Sequence, residues 1–336
     1  GTAENRDGKI SEIGALPLEA FLLEPAYKDY LWGGTRLKTE YGKETDLEIV
    51  AESWECSVHP DGPSRIASGP WKGKTLLEFL EAHPEAMGTH GRKYKTLPIL
   101  VKLIDAKEDL SVQVHPDDAY ALEHEGQLGK TELWYVLKAA PGATLIYGFA
   151  HDVTPELVRK AVQDGTILEH LQRVPVHAGD VFFIEPGTVH AIGGGVLLAE
   201  IQENSNVTYR VYDYDRLGKD GKPRELHLEK ALEVMDFKAA KEPRSPQRVI
   251  RYTPGVAKEL IGRCQYFQVE KVRTSRKSKI STPYNIQILL MMEGKKSVDK
   301  AAEFLPVEKG NTIFLPPQED SYLYYSSPLT YLQIII

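Results

Sequence analysis

The sequence predicts a mainly β protein with α-helices inserted in its first part and a smaller all-β segment at its end. Three observations carry that reading. Runs of β-branched and aromatic residues bounded by Gly, Pro or Asp recur as short strands: Leu133–Leu137, Val181–Glu185, Val196–Gln202, Val207–Tyr214 and Ile286–Met292. Helical signals are few, and all of them precede residue 236. A polar, proline-bearing stretch, Lys238–Gln247, then leads into residues 248–336, whose short strands and missing helical pattern suit a small sandwich or barrel. At 336 residues, and with domains of ~150 residues being usual, two domains are expected.

The elements follow in chain order. Thr75-Leu76-Leu77-Glu78 is a capping box, with Leu76, Leu77 and Leu80 as the apolar stripe behind it. Leu97–Ile104 is an apolar run of strand length. Ser111–Pro116 alternates with period two, so a strand there puts Ser111, Gln113 and His115 on one face and Leu110, Val112 and Val114 on the other. Asp117–Gln127 reads as a short helix and loop, leading to a strand over Gly129–Tyr135 on which Lys130 and Glu132 share a face. Thr154-Pro155-Glu156 offers an N-cap, a first-turn proline and a first-turn acid, ahead of Leu157, Val158, Ala161 and Val162 at helical spacing. The strand Val181–Glu185 ends at Pro186-Gly187 and presents His190 beyond the turn; Gly193, Gly194 and Gly195 then permit close backbone approach. Glu200 and Arg210 fall inside strands, where a charge is costly unless paired or functional. Leu228, Ala231, Leu232 and Met235 form one more amphipathic helix face. Gly179–Pro186 is echoed by Gly310–Pro317, but Thr188-Val189-His190 in the first copy has only Glu319-Asp320-Ser321 as its counterpart in the second.

Composition excludes several classes. Forty-eight acidic against 41 basic residues give a net charge of -7, and with a pI near 5.9 this argues against a nucleic-acid or anionic-membrane partner. An anionic substrate must then be held by a local cluster of Lys and Arg. Two cysteines, Cys56 and Cys264, exclude a disulfide framework and a Cys-rich zinc module, and they fit a reducing, cytoplasmic setting. No stretch approaches the 18 or so apolar residues of a membrane span.

Each chemically suggestive piece has an ordinary structural reading. Ser111, Gln113 and His115 fit a half-exposed sheet face. Lys130 with Glu132 fits a surface ion pair, His190 a satisfied core histidine, and Glu200 with Arg210 a buried structural ion pair. Together they point further. Two histidines, a glutamate and a glutamine on strands of one β domain suit a mononuclear divalent site, with imidazole and carboxylate favouring zinc. Two histidines and one carboxylate also suit non-haem iron. Lys102, Lys130 and Arg210 add positive charge suited to a phosphate or a developing enediolate, which an oxygenase of apolar substrates does not need.

Gln113-Val114-His115-Pro116, Lys130-Thr131-Glu132, Thr188-Val189-His190-Ala191 and Tyr209-Arg210-Val211-Tyr212-Asp213 resemble the motifs of type I phosphomannose isomerases in their shorter bacterial form. Leu23-Glu24-Pro25, Leu31-Trp32-Gly33-Gly34 and Ala51-Glu52-Ser53-Trp54-Glu55 are similar to the start of that family. The likeness runs from about Leu22 to about Met235 and weakens beyond. It implies two cupin jelly rolls, with helices inserted in the first and the metal ligands lost from the second. The implied units are a tail or remnant over 1–16, a catalytic metal-binding domain over 17–240 and a cupin-like domain over 241–336. It implies one zinc held by Gln113, His115, Glu132 and His190, and interconversion of mannose 6-phosphate and fructose 6-phosphate, with Arg210 matching the active-site arginine. Gln113 stands where cupins generally have a first histidine, and Glu132 comes 17 residues after His115; that departure favours the isomerase over other cupins.

An aldose–ketose isomerisation needs a base, and Glu200 is the candidate, with Lys130 as its rival or as a proton shuttle. Arg210 is expected at the enediolate or the phosphate, and Lys102 and Ser111 at phosphate or hydroxyl groups. The alternatives are an isomerase of another sugar or sugar phosphate, an iron-dependent cupin oxygenase and a non-catalytic sugar-binding cupin. The other eight histidines are read as structural or surface residues. Leu332–Ile336 is read as a buried final strand, and monomer and homodimer are both left open.

Overall fold

The computed structural model describes residues 19–336 except 246–247, 276–277, 280–283, 294–307, 318–321 and 324–327. The expected tail over 1–16 and the Glu319-Asp320-Ser321 stretch lie outside the described residues. The chain is mainly β, and every ladder between its strands is antiparallel.

Three sheets form successive layers. A six-stranded sheet runs in the order Val181–Ile184, Glu132–Ala139, Val196–Glu203, Ile99–Ala106, Glu52–Cys56, Ala26–Lys28. One of its faces meets a five-stranded sheet ordered Tyr209–Tyr212, Val112–Val114, His190–Ile192, Thr144–Phe149, Leu171–Pro175, through Ile104, Val136, Phe182, Leu198, Leu145, Val174 and Ile192. Its other face, with Val101, Leu103, Leu133, Leu197, Ala199 and Ile201, packs on Ile261, Val269, Ile288, Leu290, Leu332 and Ile334 of an eight-stranded sheet. Burial on both faces explains why its central strands read as continuous apolar runs instead of alternating. Each fully buried Leu, Ile or Val contributes ~1.5–3 kcal/mol.

Helices close the outer face of the five-stranded sheet. Pro155–Asp164 lays Val158 and Ala161, and Leu228–Val234 lays Ala231 and Leu232, against Val112, Val114, Ile146, Val189 and Val211. The expected caps form: Thr154 accepts from the Leu157 amide at 3.1 Å, and Thr75 and Glu78 exchange both bonds of a capping box at the start of Leu76–Ala82. Asp118–Glu125 occupies the stretch read as a short helix, capped by Asp117.

Chain order and spatial order part in the eight-stranded sheet. Phe21–Glu24 pairs with Thr312–Leu315, Phe21 opposite Phe314, and Arg65–Ile66 extends that edge. Early strands thus complete a sheet whose other members come from residues 250–335. A buried polar contact reinforces this junction: the Lys43 ammonium lies 2.6 Å from Glu55, and the Thr312 hydroxyl donates to the same carboxylate at 2.9 Å. The echoed segments become strands Val181–Ile184 and Thr312–Leu315, each preceded by a glycine at positive φ, Gly179 at 89° and Gly310 at 93°. The last strand, Leu329–Ile335, is buried in the middle of its sheet. No sheet among the described residues closes into a barrel; the architecture is layered.

Candidate metal centre and active site

The site occupies one end of the space between the six- and five-stranded sheets, where the inward-facing positions change from apolar to polar. Ile104 gives way to Lys102, Leu198 to Glu200, Val136 to Trp134 and Ile192 to His190, each two residues along its strand and so on the same face. Strand register then sets two rows. Across the six-stranded sheet Trp54, Lys102, Glu200 and Trp134 stand directly opposite one another in sequence. Across the five-stranded sheet the row is Arg210, Gln113, His190.

Between the rows lies a cavity of about 300 Å³. Its wall includes all nine residues singled out in the sequence: Lys102, Ser111, Gln113, His115, Lys130, Glu132, His190, Glu200 and Arg210. Two of the ordinary readings do not describe what forms. Glu200 makes no ion pair with Arg210; its partners are Lys102 at 3.8 Å and the Trp134 indole, which donates to it at 2.9 Å. Lys130 does lie 3.3 Å from Glu132, but the pair is buried, not on the surface.

His115, Glu132 and His190 are buried together with their ligand atoms within 4.8 Å of one another. His115 Nδ1 is 3.0 Å from the Val207 carbonyl, and His190 Nδ1 is 2.8 Å from the Thr188 carbonyl. A carbonyl only accepts, so each Nδ1 carries the proton and each Nε2 turns a lone pair inward. Those lone pairs face the Glu132 carboxylate, at 2.9 Å for His115 and 3.8 Å for His190. Glu132 Oε1 is buried and accepts no aligned hydrogen bond. Converging acceptors of this kind are stable around a cation, and the donors present suit a divalent metal. The electrostatics agree. Burial, reinforced by the charge on Lys130, pushes the His115 pKa down to about 3, and burial lowers that of His190, so both rings are neutral. Burial works against the charge on Glu132, but the Lys130 ammonium beside it favours that charge, and the carboxyl stays well below its ordinary range. Gln113 lies on the same cavity wall, opposite His190 in the ladder.

Glu200 differs. Burial first, and then the charge on Glu132, push its pKa up to about 8, against the pull of Lys102 and Lys130. Burial opposes the charge on Lys102, but Glu52, Glu200 and Glu132 outweigh it and raise its pKa. The Trp134 indole N–H is shared between Glu132, at 3.0 Å, and Glu200.

Sequence reasoning missed Tyr30, Glu52, Trp134 and Arg224, which also line the cavity. Glu52 carried the signal that singled out Glu200, a charge inside a strand. Glu52-Ser53-Trp54 and Glu132-Leu133-Trp134 repeat one device, in which an indole N–H donates back to the glutamate two residues earlier, at 2.9 and 3.0 Å. Of the other eight histidines, none lines this cavity; His124 stacks on Tyr120, with ring centroids 3.8 Å apart.

Comparison with known proteins assigns the chain to a family. Residues 20–132 match the catalytic domain of phosphomannose isomerase type I, and residues 257–324 match the mannose-6-phosphate isomerase cupin domain. A relative from Bacillus subtilis, the putative mannose-6-phosphate isomerase YvyI, is 39% identical over 300 residues, 88% of this chain and 92% of the relative. The chain belongs to the type I phosphomannose isomerases. A second member, the mannose-6-phosphate isomerase of Streptococcus mutans, is 37% identical over 89% of this chain and 92% of its own length. The crystal structure of the mannose 6-phosphate isomerase from Bacillus subtilis superposes with a TM-score of 0.84 at 34% identity, covering 94% of this chain and 99% of that one. His190, Glu200 and Arg210 lie outside both stretches matched to this family, and the fold carries them onto the cavity formed with Lys102, His115 and Glu132. Among the described residues no helix is long and apolar enough to cross a membrane.

Proposed function

We propose that this cavity interconverts mannose 6-phosphate and fructose 6-phosphate through an enediol, with zinc held by Gln113, His115, Glu132 and His190. Membership of the family makes the chain an aldose–ketose isomerase of a phosphorylated sugar. The observation that carries the fuller reading is the buried Glu132 carboxylate facing two imidazole lone pairs, beside a separate carboxyl, Glu200, with a raised pKa. Zinc, when bound, supplies Lewis-acid polarisation of the sugar's carbonyl and hydroxyl oxygens.

The chain's own residues supply the rest. Glu200 takes the proton from C2 of the open-chain aldose and returns it to C1, and Trp134 and Lys102 hold its carboxylate in place between the two steps. Lys130 sits on the cavity wall beside Glu132 and serves the oxygens, where one hydroxyl proton leaves O2 and one is gained at O1. Arg210 opposes negative charge on the substrate. Ser111 and Lys102 contact hydroxyl groups. Four cations, Lys102, Lys130, Arg210 and Arg224, and three carboxylates, Glu52, Glu132 and Glu200, line the wall, so a bound dication leaves the cavity strongly positive and suited to a phosphate dianion. All nine candidate residues precede residue 240, which supports a catalytic unit over 17–240 and a ligand-free cupin unit over 241–336. Two free thiols and a charged sugar substrate support a cytoplasmic setting.

The test is a coupled assay for fructose 6-phosphate formed from mannose 6-phosphate, before chelation, after it and with zinc restored. Activity lost with chelator and recovered with zinc is the expected result. No turnover by folded, metal-replete protein refutes the reaction, and full metal content in His115→Ala refutes the ligand set.

A further inference from the structure

His59 is one of the eight histidines read from the sequence as structural or surface residues. It is 5% exposed and lies outside the cavity wall, yet both of its ring nitrogens are used. The Asp61 backbone amide, which can only donate, bonds Nδ1 at 3.1 Å, so Nε2 carries the ring proton. Nε2 donates to the Gln127 amide oxygen at 3.1 Å. The Asn206 backbone amide reaches the same oxygen at 3.4 Å. Both neighbours of that oxygen are donors, which fixes the orientation of the Gln127 amide. The Asn206 side-chain amide donates to the Asp61 carboxylate at 3.0 Å and closes a ring of four residues. That ring ties together three loops, those that follow the strand Glu52–Cys56, the helix Asp118–Glu125 and the strand Val196–Glu203.

Two of these loops lead directly to the metal centre. Gln127 precedes Lys130 by three residues and Glu132 by five. Asn206 and Thr208 line the cavity, and Val207 between them gives the carbonyl that takes the His115 Nδ1 proton at 3.0 Å. That bond turns the Nε2 lone pair of His115 toward Glu132. Residues 204–208 lie between strands, so no ladder sets their course and side chains do. From within, the Gln202 amide donates to the carbonyls of Glu203 and Ser205 at 2.9 and 2.7 Å. From outside, the loop is held by the ring centred on His59. The footing of that ring is firm. The His59 imidazole stands edge-on to Trp54, with centroids 6.0 Å apart, and Gly62 backs so closely onto the indole that a Cβ there would lie 2.5 Å from it. Trp54 is fully buried and stands opposite Lys102 in the wall row.

We infer that His59 is a positioning residue for the metal centre: through Gln127 and Asp61 it fixes Asn206, and so the Val207 carbonyl that holds His115 with its Nε2 lone pair directed inward. This rests on the divalent-metal reading of His115, Glu132 and His190 above and deepens it; partners behind a ligating histidine set its orientation and tautomer. The test compares wild type with His59→Phe, which keeps a ring against Trp54 and removes both bonds, Gln127→Leu, which removes the shared acceptor, and Gln127→Glu, which keeps one. Zinc affinity is read by competition with a chromophoric chelator, ligand geometry by the visible spectrum of the cobalt-loaded protein, and the His115 tautomer by histidine ¹⁵N NMR of the metal-free protein. His59→Phe and Gln127→Leu should raise the zinc Kd about 3–10-fold, the range for lost neutral hydrogen bonds. They should also shift the cobalt bands and give mixed His115 tautomers in place of the Nδ1–H form. Gln127→Glu should stay within about twofold of wild type. His83→Phe, the same exchange in the aromatic cluster with Trp71 and Phe79, should move none of these readouts; its urea midpoint is the reference for a purely structural loss. A wild-type Kd and cobalt spectrum in folded His59→Phe overturn the inference, as does a loss in Gln127→Glu equal to that in Gln127→Leu. Should His59→Phe fail to fold, wild-type values in Gln127→Leu overturn it. Should wild type bind no zinc, the metal reading falls, and a His115 tautomer that depends on His59 and Gln127, or does not, still decides the positioning role.

Discussion

Replacing Trp134 by Phe tests the metal centre without touching any ligand to it. The indole N–H is the donor shared by Glu132 and Glu200, at 3.0 and 2.9 Å, and both carboxylates are buried. A buried hydrogen bond to a charged group contributes about 1.5–3 kcal/mol. Loss of the bond to Glu132 therefore weakens metal binding by about 10–100-fold at ~1.4 kcal/mol per decade. The range known for removing partners that orient metal ligands is the same, ~10–100-fold. The bond to Glu200 acts on the base: without a donor its charged form loses support, its pKa rises, and the acid limb of the pH–rate profile moves to higher pH. Competitive titration of the metal against a chromophoric chelator reads the first effect, and kcat/KM against pH at saturating metal reads the second. Phe also leaves a void at a position 1% exposed, costing about 1–3 kcal/mol of global stability, so denaturant midpoints are measured alongside. Metal affinity within a factor of about three of wild type in a folded variant refutes the argument that this N–H organises the centre.

Other outcomes follow from the same geometry. Glu200→Gln should lower kcat by about 10²–10⁴-fold while retaining metal, as atomic absorption can show; loss of metal would make Glu200 a ligand and not the base. Burial, and then Asp118, push the Glu203 pKa up to about 8, so the folded state holds a proton that the unfolded state releases. Its contribution is therefore present below about pH 4.5 and is lost as pH rises to about 8, by up to ~1.4 kcal/mol per pH unit; Glu203→Gln should flatten that slope in urea melts and be the more stable chain above pH 8, whereas an unchanged slope refutes the assignment. Lys43→Met strips the buried Glu55 carboxylate of its only ion-pair partner among the described residues and should cost about 3–5 kcal/mol; a neutral effect on the denaturant midpoint would mean that the contact between Glu55 and Thr312 carries the junction.

Much of this site was legible because strand periodicity is strict. A period of two puts Ser111, Gln113 and His115 on one face whatever the partner strands are, and the structure finds all three on one wall. The capping box at Thr75 and the N-cap at Thr154 are local hydrogen-bond patterns, legible for the same reason. Glu200 and Arg210 showed themselves as charges in strands, which solvation makes costly; Lys102 was named only as positive charge suited to a phosphate or enediolate. Glu52 fell in Ala51–Glu55, a stretch noted for its likeness to the family's start but not read as a strand, so its charge went unremarked. Arg224 had no signature at all: a loop arginine in a charged stretch is ordinary.

The sequence by itself determined the strand faces, the helix caps, the donor types able to hold a metal, and a β class with no room for a disulfide framework. All of these depend on residues within a few positions of one another, where backbone geometry leaves few choices. Only the tertiary structure decided which strands became neighbours. Register brought Lys102, Glu200 and Trp134 into one row and Arg210, Gln113 and His190 into another. It also set Phe21–Glu24 against Thr312–Leu315, nearly the whole length of the chain away. Such pairings are selected by the summed burial of apolar faces across three layers and by the satisfaction of backbone donors, quantities that belong to the packed chain and to no local stretch of it.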